Sequence, residues 1–586
     1  MKIISPIISS LVLTVLTLSS FMASTMAQEI IIPDPNLNVV IRQALQKPNG
    51  PLTQSDMLSL TNLNATNRNI RSIEGLETAR NLSVLHLNNN ALTDFALPNA
   101  LTNLGALDLS SNPLSQCTIP GGLTNLGTLT IESCQLTGFT LPANLTGLTT
   151  LDLMNNHLTT FTLPTGLPNL TLLDLSLNSL TQCSIPAGMT NLQSLFLQQN
   201  SFNNFTLPAG LTGLSVFHLW ANHLTSFTLP LDTTNLTFLL LNGNQLTNVT
   251  LPGTLGRLTF LDLDFNQFRN FTLPAGMTQL NGFEMIGNPL LTNITLSADM
   301  TNLTFLDLEG NQLRNFTLPA GMTRLSSLRL GGNQLTSFIL PAGLTNLHDF
   351  AIAVNQLTNL VLPSDLFNVV SLDLGENFYS NFIFPRGLTN LVSVDLGLCQ
   401  LTNLTLAPDM TQLTTLFVLG NPFETFVISE PLAATNLAAL VTSLQNQGVS
   451  VFTYPLDARL VQPLMLPGSF KFGITGPPGV YSIIASTNLA TWSAVGVATN
   501  PLGSVIFHDV TTNVLPQKFY RVLLQGPPPN MVFISPNTFT MGSPTNEPGR
   551  NIFEGAQSTV TLTRGFWIGK HEVSGLVRRS SGRSSN

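Results

Sequence analysis

The sequence predicts a solenoid dominated by β-strands, because one short pattern recurs along most of its length. The 586-residue chain repeats itself with a period of 22 residues, and periods of this size are typical of solenoids. Within a unit such as Thr233–Thr254, leucines alternate with variable residues, as in a strand that is buried on one face. An asparagine follows the alternating segment at a fixed position, so the units are in register.

We call this residue the landmark asparagine. It lies at Asn90, Asn112, Asn156, Asn178, Asn200, Asn222, Asn244, Asn266, Asn288, Asn311, Asn333, Asn355, Asn377 and Asn421, with a one-residue insertion before Asn311. Cys134 and Cys399 occupy the same position, which makes sixteen units, and Arg68 occupies it in a degenerate leading unit. An amide or thiol here suits a buried turn, where the side chain can bond the backbone of adjacent units.

The units resemble the leucine-rich-repeat family, L-x-x-L-x-L-x-x-N/C-x-L, over roughly residues 60–427. The resemblance implies a superhelix with a parallel sheet on its concave side, one strand per unit. Most units also carry F-T-L-P or a close variant, as at Phe161–Pro164. This segment predicts a second short strand on the convex side, with Phe and Leu pointing inward and Pro ending the strand. The predicted fold class is therefore an α/β-type solenoid dominated by β.

Stacked repeats need caps at both ends, and the sequence predicts both. Residues 28–60 form the N-terminal helical cap, with amphipathic helices at Pro33–Gln46 and Thr53–Leu60, and the repeats occupy 61–431. The C-terminal cap, 432–455, contains a helix at Leu432–Asn446 and a last strand at Val449–Tyr454. The helical N-terminal cap is similar to that of exported bacterial repeat proteins of the internalin type.

The first 27 residues have the composition of an export signal. Lys2 precedes an apolar run from Ile3 to Met22, and Thr25-Met26-Ala27 supplies small residues for cleavage after Ala27. The alternative is an uncleaved membrane anchor. No later apolar segment is long enough to span a membrane, so we expect a secreted or cell-surface protein without a transmembrane segment after cleavage.

Charge and cysteine content argue against a nucleic-acid-binding protein and against a disulfide-bonded scaffold. Only 9% of residues are charged, the net charge is −8, and no long basic run occurs before the last dozen residues, so nucleic-acid binding is not expected. Cys117 and Cys183 lie where other units place phenylalanine, three units or about 14 Å apart at strand spacing, too far for a disulfide. Cys134 and Cys399 are twelve units apart. We predict four unpaired cysteines buried in the core.

The open face of the predicted concave sheet is the best place for a binding site. The outward position four residues before each landmark is acidic in eight of the sixteen units, and adjacent strands bring these carboxylates close enough to repel one another unless a cation compensates. Aromatic side chains, Phe196, Trp220 and Phe265, are predicted on or beside this face. The candidate binding residues are Asp108, Asp152, Asp174, Phe196, His218, Trp220, Asp262, Glu284, Asp307, Arg329, Asp373 and Asp395.

Two interpretations of this acidic row remain open. It can be a docking surface for a basic partner, with the aromatic residues as contact points. Alternatively, aspartate is a solvated, aggregation-resistant residue that unit duplication has spread. We expect no catalytic residue, metal or cofactor here, because a regular open sheet lacks the enclosed carboxylate pair of a glycosidase. His86 and His218 are six units apart and cannot share a metal.

The chain beyond the repeats has a different composition. We predict a linker at 456–468, a small antiparallel β module at 469–525 with strands separated by Gly-Pro turns, and a tail at 574–586 that is disordered. Residues 526–573 resemble the opening strands of the formylglycine-generating (sulfatase-modifying factor) family, through M-V-x-I-x-x-x-x-F-x-M-G-S and F-W-I-G-K-x-E-V. We expect this forty-residue fragment to be poorly ordered.

That second resemblance implies catalytic cysteines far downstream, but no cysteine follows Cys399, so no catalytic residue is carried over. The change to Ser and Arg after Val573 suggests a frameshift or premature stop. The favoured function is therefore non-catalytic recognition of a protein or polysaccharide outside the cytoplasm. The alternatives are a truncated relative of a sulfatase-modifying enzyme that uses the repeats for targeting, and a structural surface protein.

Overall fold

The computed structural model describes residues 29–510 and 517–525, together with the backbone of four later strands. The predicted signal peptide and the tail at 574–586 lie outside the described residues. The chain divides into two compact units, one comprising residues up to 402 and 412–422, the other residues 403–411 and everything from 423 onward. In the described part, no helix has the length and apolarity that crossing a membrane requires.

The first unit is built around a parallel sheet of seventeen strands, which we call the long sheet. Each strand pairs with the strand one repeat later, and the offset is 22 residues throughout except at Gly282 and Phe305, where it is 23. The predicted insertion therefore lies in a loop and leaves the ladder intact. The strands are Asn62–Asn64, Val84–His86, Ala106–Asp108, Thr128–Thr130, Thr150–Asp152, Leu172–Asp174, Ser194–Phe196, Val216–His218, Phe238–Leu240, Phe260–Asp262, Gly282–Glu284, Phe305–Asp307, Ser327–Arg329, Asp349–Ala351, Ser371–Asp373, Ser393–Asp395 and Thr415–Phe417.

Opposite the long sheet, several units form the predicted second strand. Its middle residue is buried and its neighbours are exposed, as Phe161 between two exposed threonines illustrates. In the first unit these strands are Asp94–Ala96, Gln116–Thr118, Thr160–Thr162, Gln182–Ser184, Ser226–Thr228, Asn248–Thr250, Asn270–Thr272, Asn293–Thr295 and Asn381–Ile383. Leucines of the long sheet, such as Leu151, and these phenylalanines make the core between the two sides.

The N-terminal cap has two helices, α1 (Pro35–Ala44) and α2 (Gln54–Ser59), followed by a 3-10 turn at Leu76–Thr78. Asp34 begins α1, because its Oδ1 accepts the N–H groups of Asn36 and Leu37 at 2.9 and 3.0 Å. Its Oδ2 accepts the N–H groups of Arg71 and Ser72 at 2.7 and 3.2 Å. One carboxylate thus caps the helix and attaches it to the leading repeat.

The cysteine prediction is confirmed in part. All four cysteines are unpaired, and Cys134 and Cys399 are buried at the landmark position. Cys117 and Cys183 are only half-buried, contrary to the expectation that they lie fully in the core. Both are the middle residue of a convex strand, where a side chain shorter than phenylalanine leaves the site partly open. Burial still raises the pKa of each of these two thiols to about 12.

The second unit begins with strands Asn403–Thr405, Thr425–Ser429 and Ser450–Tyr454, which pair in parallel. Two helices, α3 (Glu430–Ala434) and α4 (Ala438–Asn446), lie between the last two strands in place of the single helix predicted at 432–446. The buried Tyr454 hydroxyl donates to the Leu406 carbonyl at 2.7 Å. This bond connects the last predicted strand to the segment after Asn403–Thr405.

The antiparallel β module is present and begins earlier than predicted. Strand Arg459–Leu466 occupies the predicted linker and pairs with Ser469–Thr475, which in turn pairs with Ser504–Asp509. Pro463 lies at a register shift between Val461 and Leu464, where a missing N–H is tolerated at a sheet edge. A second sheet contains Gly479–Ser486, Ser493–Asn500 and Phe519–Leu524. Phe472, Ile474, Tyr481, Ile483 and Ala498 form the core of the module.

Residues 526–573, expected to be poorly ordered, contain four strands with paired backbones. Met531–Ile534 pairs with Phe566–Gly569, and Thr538–Met541 pairs with Ser558–Thr561, both antiparallel. Apolar and polar residues alternate in Thr538–Met541, and the β-branched and aromatic residues of Met531–Ile534 and Phe566–Gly569 also favour strands.

The landmark side chains bond as the repeat pattern predicts. Asn156, which is 4% exposed, accepts the Leu136 N–H at 3.1 Å and donates to the carbonyls of Ile131 and Leu153 at 2.8 and 3.0 Å. The same three bonds recur at Asn244. In most units the buried turn is thereby satisfied by an amide that reaches into the preceding unit, and the thiols of Cys134 and Cys399 do so in two units.

Removing one landmark amide should destabilise the solenoid. We expect Asn156→Ala to lower the free energy of unfolding by about 3 kcal/mol, because it leaves the buried Leu136 N–H and Ile131 carbonyl without partners, whereas the Leu153 carbonyl keeps the bond from Asn178. Urea denaturation monitored by circular dichroism measures this change. Asn156→Cys should lose less, since a thiol serves at Cys134. The matched control is Asn169→Ala, an exposed amide that donates one bond at 2.8 Å, and equal losses in the two alanine variants would contradict the prediction.

Candidate functional site

The candidate site residues lie on the open face of the long sheet, in rows that run across its strands. We call the third residue of each strand from Val84–His86 onward the first row, which runs from His86 to Phe417. The residue two positions later has the same orientation and forms the second row, from Asn88 to Leu419. Eleven of the twelve candidates belong to the first row, and Trp220 belongs to the second.

The first row is more enclosed than predicted. Asp262 and Asp307 are only 8% and 2% exposed, so the expectation of an exposed position is wrong for these two residues. Long side chains flank both, with Glu284 on the strand between them and Arg329 beyond Asp307. Strands about 4.8 Å apart leave little solvent between such neighbours. Most other members of the row are half-buried, and Arg329 and Phe417 are exposed.

The seven aspartates of the first row share a local hydrogen bond. Six accept the N–H two residues further along through Oδ1, at 2.8–3.0 Å, and Asp373 accepts the N–H of Gly375. Aspartate favours such bonds where a strand turns into a loop. Strand termination therefore explains part of the acidic row and leaves Oδ2 of each carboxylate outside this bond.

The few basic groups of the first row offset the negative charge only of the carboxylates next to them. Arg329 Nη1 lies 3.9 Å from Asp307 Oδ2, and its guanidinium lies 5.9 Å from the centre of the Phe305 ring. His86 Nδ1 lies 3.9 Å from Asp108 Oδ2. His218 packs edge-on against Phe196 with ring centres 4.9 Å apart, and burial lowers its pKa, so it is neutral at pH 7. Between His86 and Arg329, the first row thus has no fixed positive charge.

Enclosure raises the pKa of several carboxyls of this face. Burial brings the pKa of Asp152 to about 6, the Met154 N–H opposes this shift, and the Asp174 carboxylate adds to it. Burial also raises the pKa of Asp174, Asp262, Glu284 and Asp307. The face therefore favours groups that bring positive charge or protons.

A central carboxylate cluster consists of Asp262, Asp264 and Glu284, with one oxygen of each within 4.8 Å of the others. Burial raises the pKa of Asp264 to about 7, although its Oδ1 accepts the Ile286 N–H at 2.6 Å. The neighbouring carboxylates of Asp262 and Glu284 raise it further. Three oxygens in this arrangement could contact a cation.

Sequence reasoning missed the acidic members of the second row, Glu132, Asp264 and Glu309. The signal was available, because strand alternation places Asp264 on the same face as Asp262, two residues earlier. Aromatic side chains lie beside the central carboxylate cluster. Phe238 and Phe260 have ring centres 6.3 Å apart, and Phe265 is 60% exposed, while Trp220 is half-buried.

A parallel sheet of 22-residue units, joined by a ladder of buried asparagines, defines a leucine-rich-repeat protein. More specifically, the family model of the BspA type leucine rich repeat region matches residues 64–159, 152–264, 261–371 and 308–421, and the chain belongs to this family.

Solved structures of several leucine-rich-repeat proteins are similar to this chain. The functional domain of InlJ from Listeria monocytogenes is 19% identical, over 80% of this chain and 96% of that one, with a TM-score of 0.45. The HAESA receptor kinase ectodomain from Arabidopsis is 25% identical, over 66% and 72%, with a TM-score of 0.47. YopM from Yersinia enterocolitica is 21% identical, over 67% and 97%, with a TM-score of 0.40. A comparison with curated proteins finds no match.

The raised pKa of Asp264 has a consequence for stability. In the unfolded chain this carboxyl ionises near its usual 3.8, and in the folded protein near 7, so between these values the folded state holds more protons. The contribution of Asp264 to the free energy of unfolding therefore falls as pH rises from 4 to 7 and stays reduced above 7. We expect Asp264→Asn, which keeps an oxygen acceptor for Ile286, to be about 2 kcal/mol more stable than the parent at pH 8 and equal to it near pH 3.

Thermal denaturation at both pH values tests this expectation. The exposed Asp94→Asn is the control and should change the melting temperature little at either pH. A gain for Asp264→Asn that is the same at both pH values would assign the effect to packing rather than to ionisation.

Proposed function

We propose that this chain is a non-catalytic recognition protein that binds a protein or polysaccharide partner on the open face of the long sheet. The observation that carries the proposal is the accumulation of carboxylates on this face with little compensating positive charge. The first row alone has eight, and the second row adds Glu132, Asp264 and Glu309. Burial raises the pKa of several of them, such as Asp152, Asp174 and Asp264, so ionising these carboxyls costs free energy, which a cationic partner would offset.

The structural role of the aspartates, which is to accept a backbone N–H, accounts for only part of the negative charge on this face. The Oδ1 bonds explain why aspartate suits the end of a strand, but an asparagine would accept the same N–H without repulsion between neighbours. Glu284 is not one of the aspartates that accept the N–H two residues later, and it still adds a negative charge between Asp262 and Asp307. Selection for negative charge is therefore the better explanation of this part of the face.

The protein is expected to act outside the cytoplasm. The export-signal composition of residues 1–27 and the membership of a family built for stacking rather than catalysis support this location and role. The relationship of 526–573 to sulfatase-modifying enzymes stays a prediction, and the binding proposal is independent of it.

Neutralising the acidic row should weaken capture of the partner. We expect Asp152→Asn, Asp174→Asn and Asp262→Asn together to reduce capture from the native cell envelope and medium about tenfold, because each asparagine keeps the backbone bond and removes one charge. Quantitative mass spectrometry of material retained by the immobilised full-length protein measures the loss.

The control combines Asp94→Asn, Asp232→Asn and Asp365→Asn, which remove the same charge away from the long sheet. Asp232 and Asp365 each accept a glycine N–H of the preceding unit. Like the test substitutions, these two therefore remove a charge from an aspartate that accepts a backbone N–H. Equal loss in both triple variants would mean that only net charge matters, and unchanged capture by the first would refute binding through the acidic row.

A further inference from the structure

The exposed apolar side chains of the first unit are concentrated in its later repeats. No large hydrophobic side chain between residues 40 and 230 is exposed, whereas fifteen are exposed between Leu231 and Leu419. Soluble proteins seldom group exposed apolar residues without a partner for them. Four of the fifteen, Val354, Leu398, Phe417 and Leu419, line one depression on the open face of the long sheet.

This depression is an open trough of about 300 Å³, and its floor is made by glycines of the second row. A Cβ on Gly375 would come within 2.9 Å of Asp395 Oδ1, and one on Gly397 within 3.2 Å of the same atom. Earlier units place Met154, Gln198 and Trp220 at this position. The trough therefore exists because side chains that fill the row elsewhere are missing here.

One wall of the trough consists of residues in a left-handed conformation. Val354, Glu376 and Leu398 have φ of 55°, 52° and 52°, where several other units use glycine. A β-branched residue such as Val354 is strained in this region, and its side chain is nevertheless 48% exposed. Most units carry a residue other than glycine here, including Leu177 and Phe265, so of the wall residues only the β-branched Val354 departs from the repeat at a cost.

The trough combines this apolar wall with negative charge. Asp373, Glu376 and Asp395 line it, and none of the lining residues is basic. Asp395 Oδ1 accepts the Gly397 N–H at 2.8 Å, which orients the carboxylate along the floor. Burial and the adjacent Asp395 carboxylate raise the pKa of Asp373, as expected for acidic groups that lack a counterion.

We propose that the trough receives a lysine side chain from an extended segment of a partner protein. The methylene groups would pack against Val354 and Leu398, and the ammonium group would lie between Asp373 and Asp395. Lysine matches this mixture, because its stem is apolar and its charge is compact. The exposed Phe417 and Leu419 at the end of the trough offer contact area to the residues that flank the lysine.

This inference rests on the proposed function and restricts it to a partner chemistry and a place. A divalent cation would need oxygen ligands all round, which the apolar wall does not supply. A free amine would bind the carboxylates and leave Phe417 and Leu419 uncovered. An extended chain can continue along the open sheet beyond both.

The test measures binding of a fluorescein-labelled peptide of alternating lysine and threonine to the full-length protein by fluorescence anisotropy. The matched peptide carries Nε-acetyl-lysine, which keeps the length and removes the charge. We expect the lysine peptide to bind at least about tenfold more tightly, and Asp373→Asn with Asp395→Asn to abolish that difference. Both asparagines retain the backbone bonds. Equal binding of the two peptides would overturn the proposal.

Two further variants separate the trough from the rest of the molecule. Gly397→Met restores a side chain that another unit carries at this position, and should weaken binding of the lysine peptide about tenfold by filling the floor. Asp94→Asn with Asp232→Asn removes equal charge away from the long sheet and should change the affinity less than about twofold. Circular dichroism melting verifies that each variant is folded, with Gly397→Ala as a milder substitute. Equal loss at both places would assign binding to the general field and refute the trough.

Competition by butylammonium identifies the occupant. If the free amine binds as tightly as the peptide, the trough is an amine site and the proposal of a partner lysine is wrong. Partner capture in the native extract is a separate measurement. Capture that persists in the Asp373→Asn, Asp395→Asn variant, together with equal binding of the two peptides, would overturn the trough and leave the recognition role standing. Selective binding of the lysine peptide without any captured partner would support the trough and count against that wider role.

Discussion

The hydrogen bonds of the landmark asparagines are the constraint on which the rest of the structure depends. Most of these amides lie in the buried turn of their own unit and bond a carbonyl and an N–H of the unit before it, as Asn156 and Asn244 illustrate. A turn that lost this amide would bury unpaired backbone groups. Every unit must therefore stack at the same offset, and the 23-residue step at Gly282 and Phe305 is accommodated outside the ladder.

A fixed offset also decides the chemistry of the open face. Because equivalent residues of neighbouring units lie side by side, any residue type favoured at one position accumulates as a row. Aspartate is favoured at the first row by its bond to the N–H two residues later, so carboxylates accumulate there. The fold thus tolerates repulsion that a less regular sheet would avoid. Burial adds a separate cost of ionisation, which raises the pKa of residues such as Asp152.

The sequence predicted what depends on the period and missed what depends on neighbours. Period and alternation were enough to place the strands, the landmark bonds and the first row. The burial of Asp262 and Asp307 was missed because it depends on the length of side chains on adjacent strands. Strand Arg459–Leu466 was assigned to a linker, whereas the structure has an irregular edge strand there that accommodates Pro463. Asp264 was overlooked although alternation alone places it on the binding face.

Regularity also provides a way to separate inherited features from selected ones. The aspartate bond that ends a strand stabilises each unit that carries it in the same way, so duplication of units explains it without a ligand. The glycine floor at Gly375 and Gly397 does nothing for stacking, since earlier units place larger side chains such as Met154 and Trp220 in the same row. A strained, left-handed Val354 is a cost that stacking does not require. Features that depart from the repeat at a cost to the fold are those that binding most readily explains, and in this chain they meet in one trough.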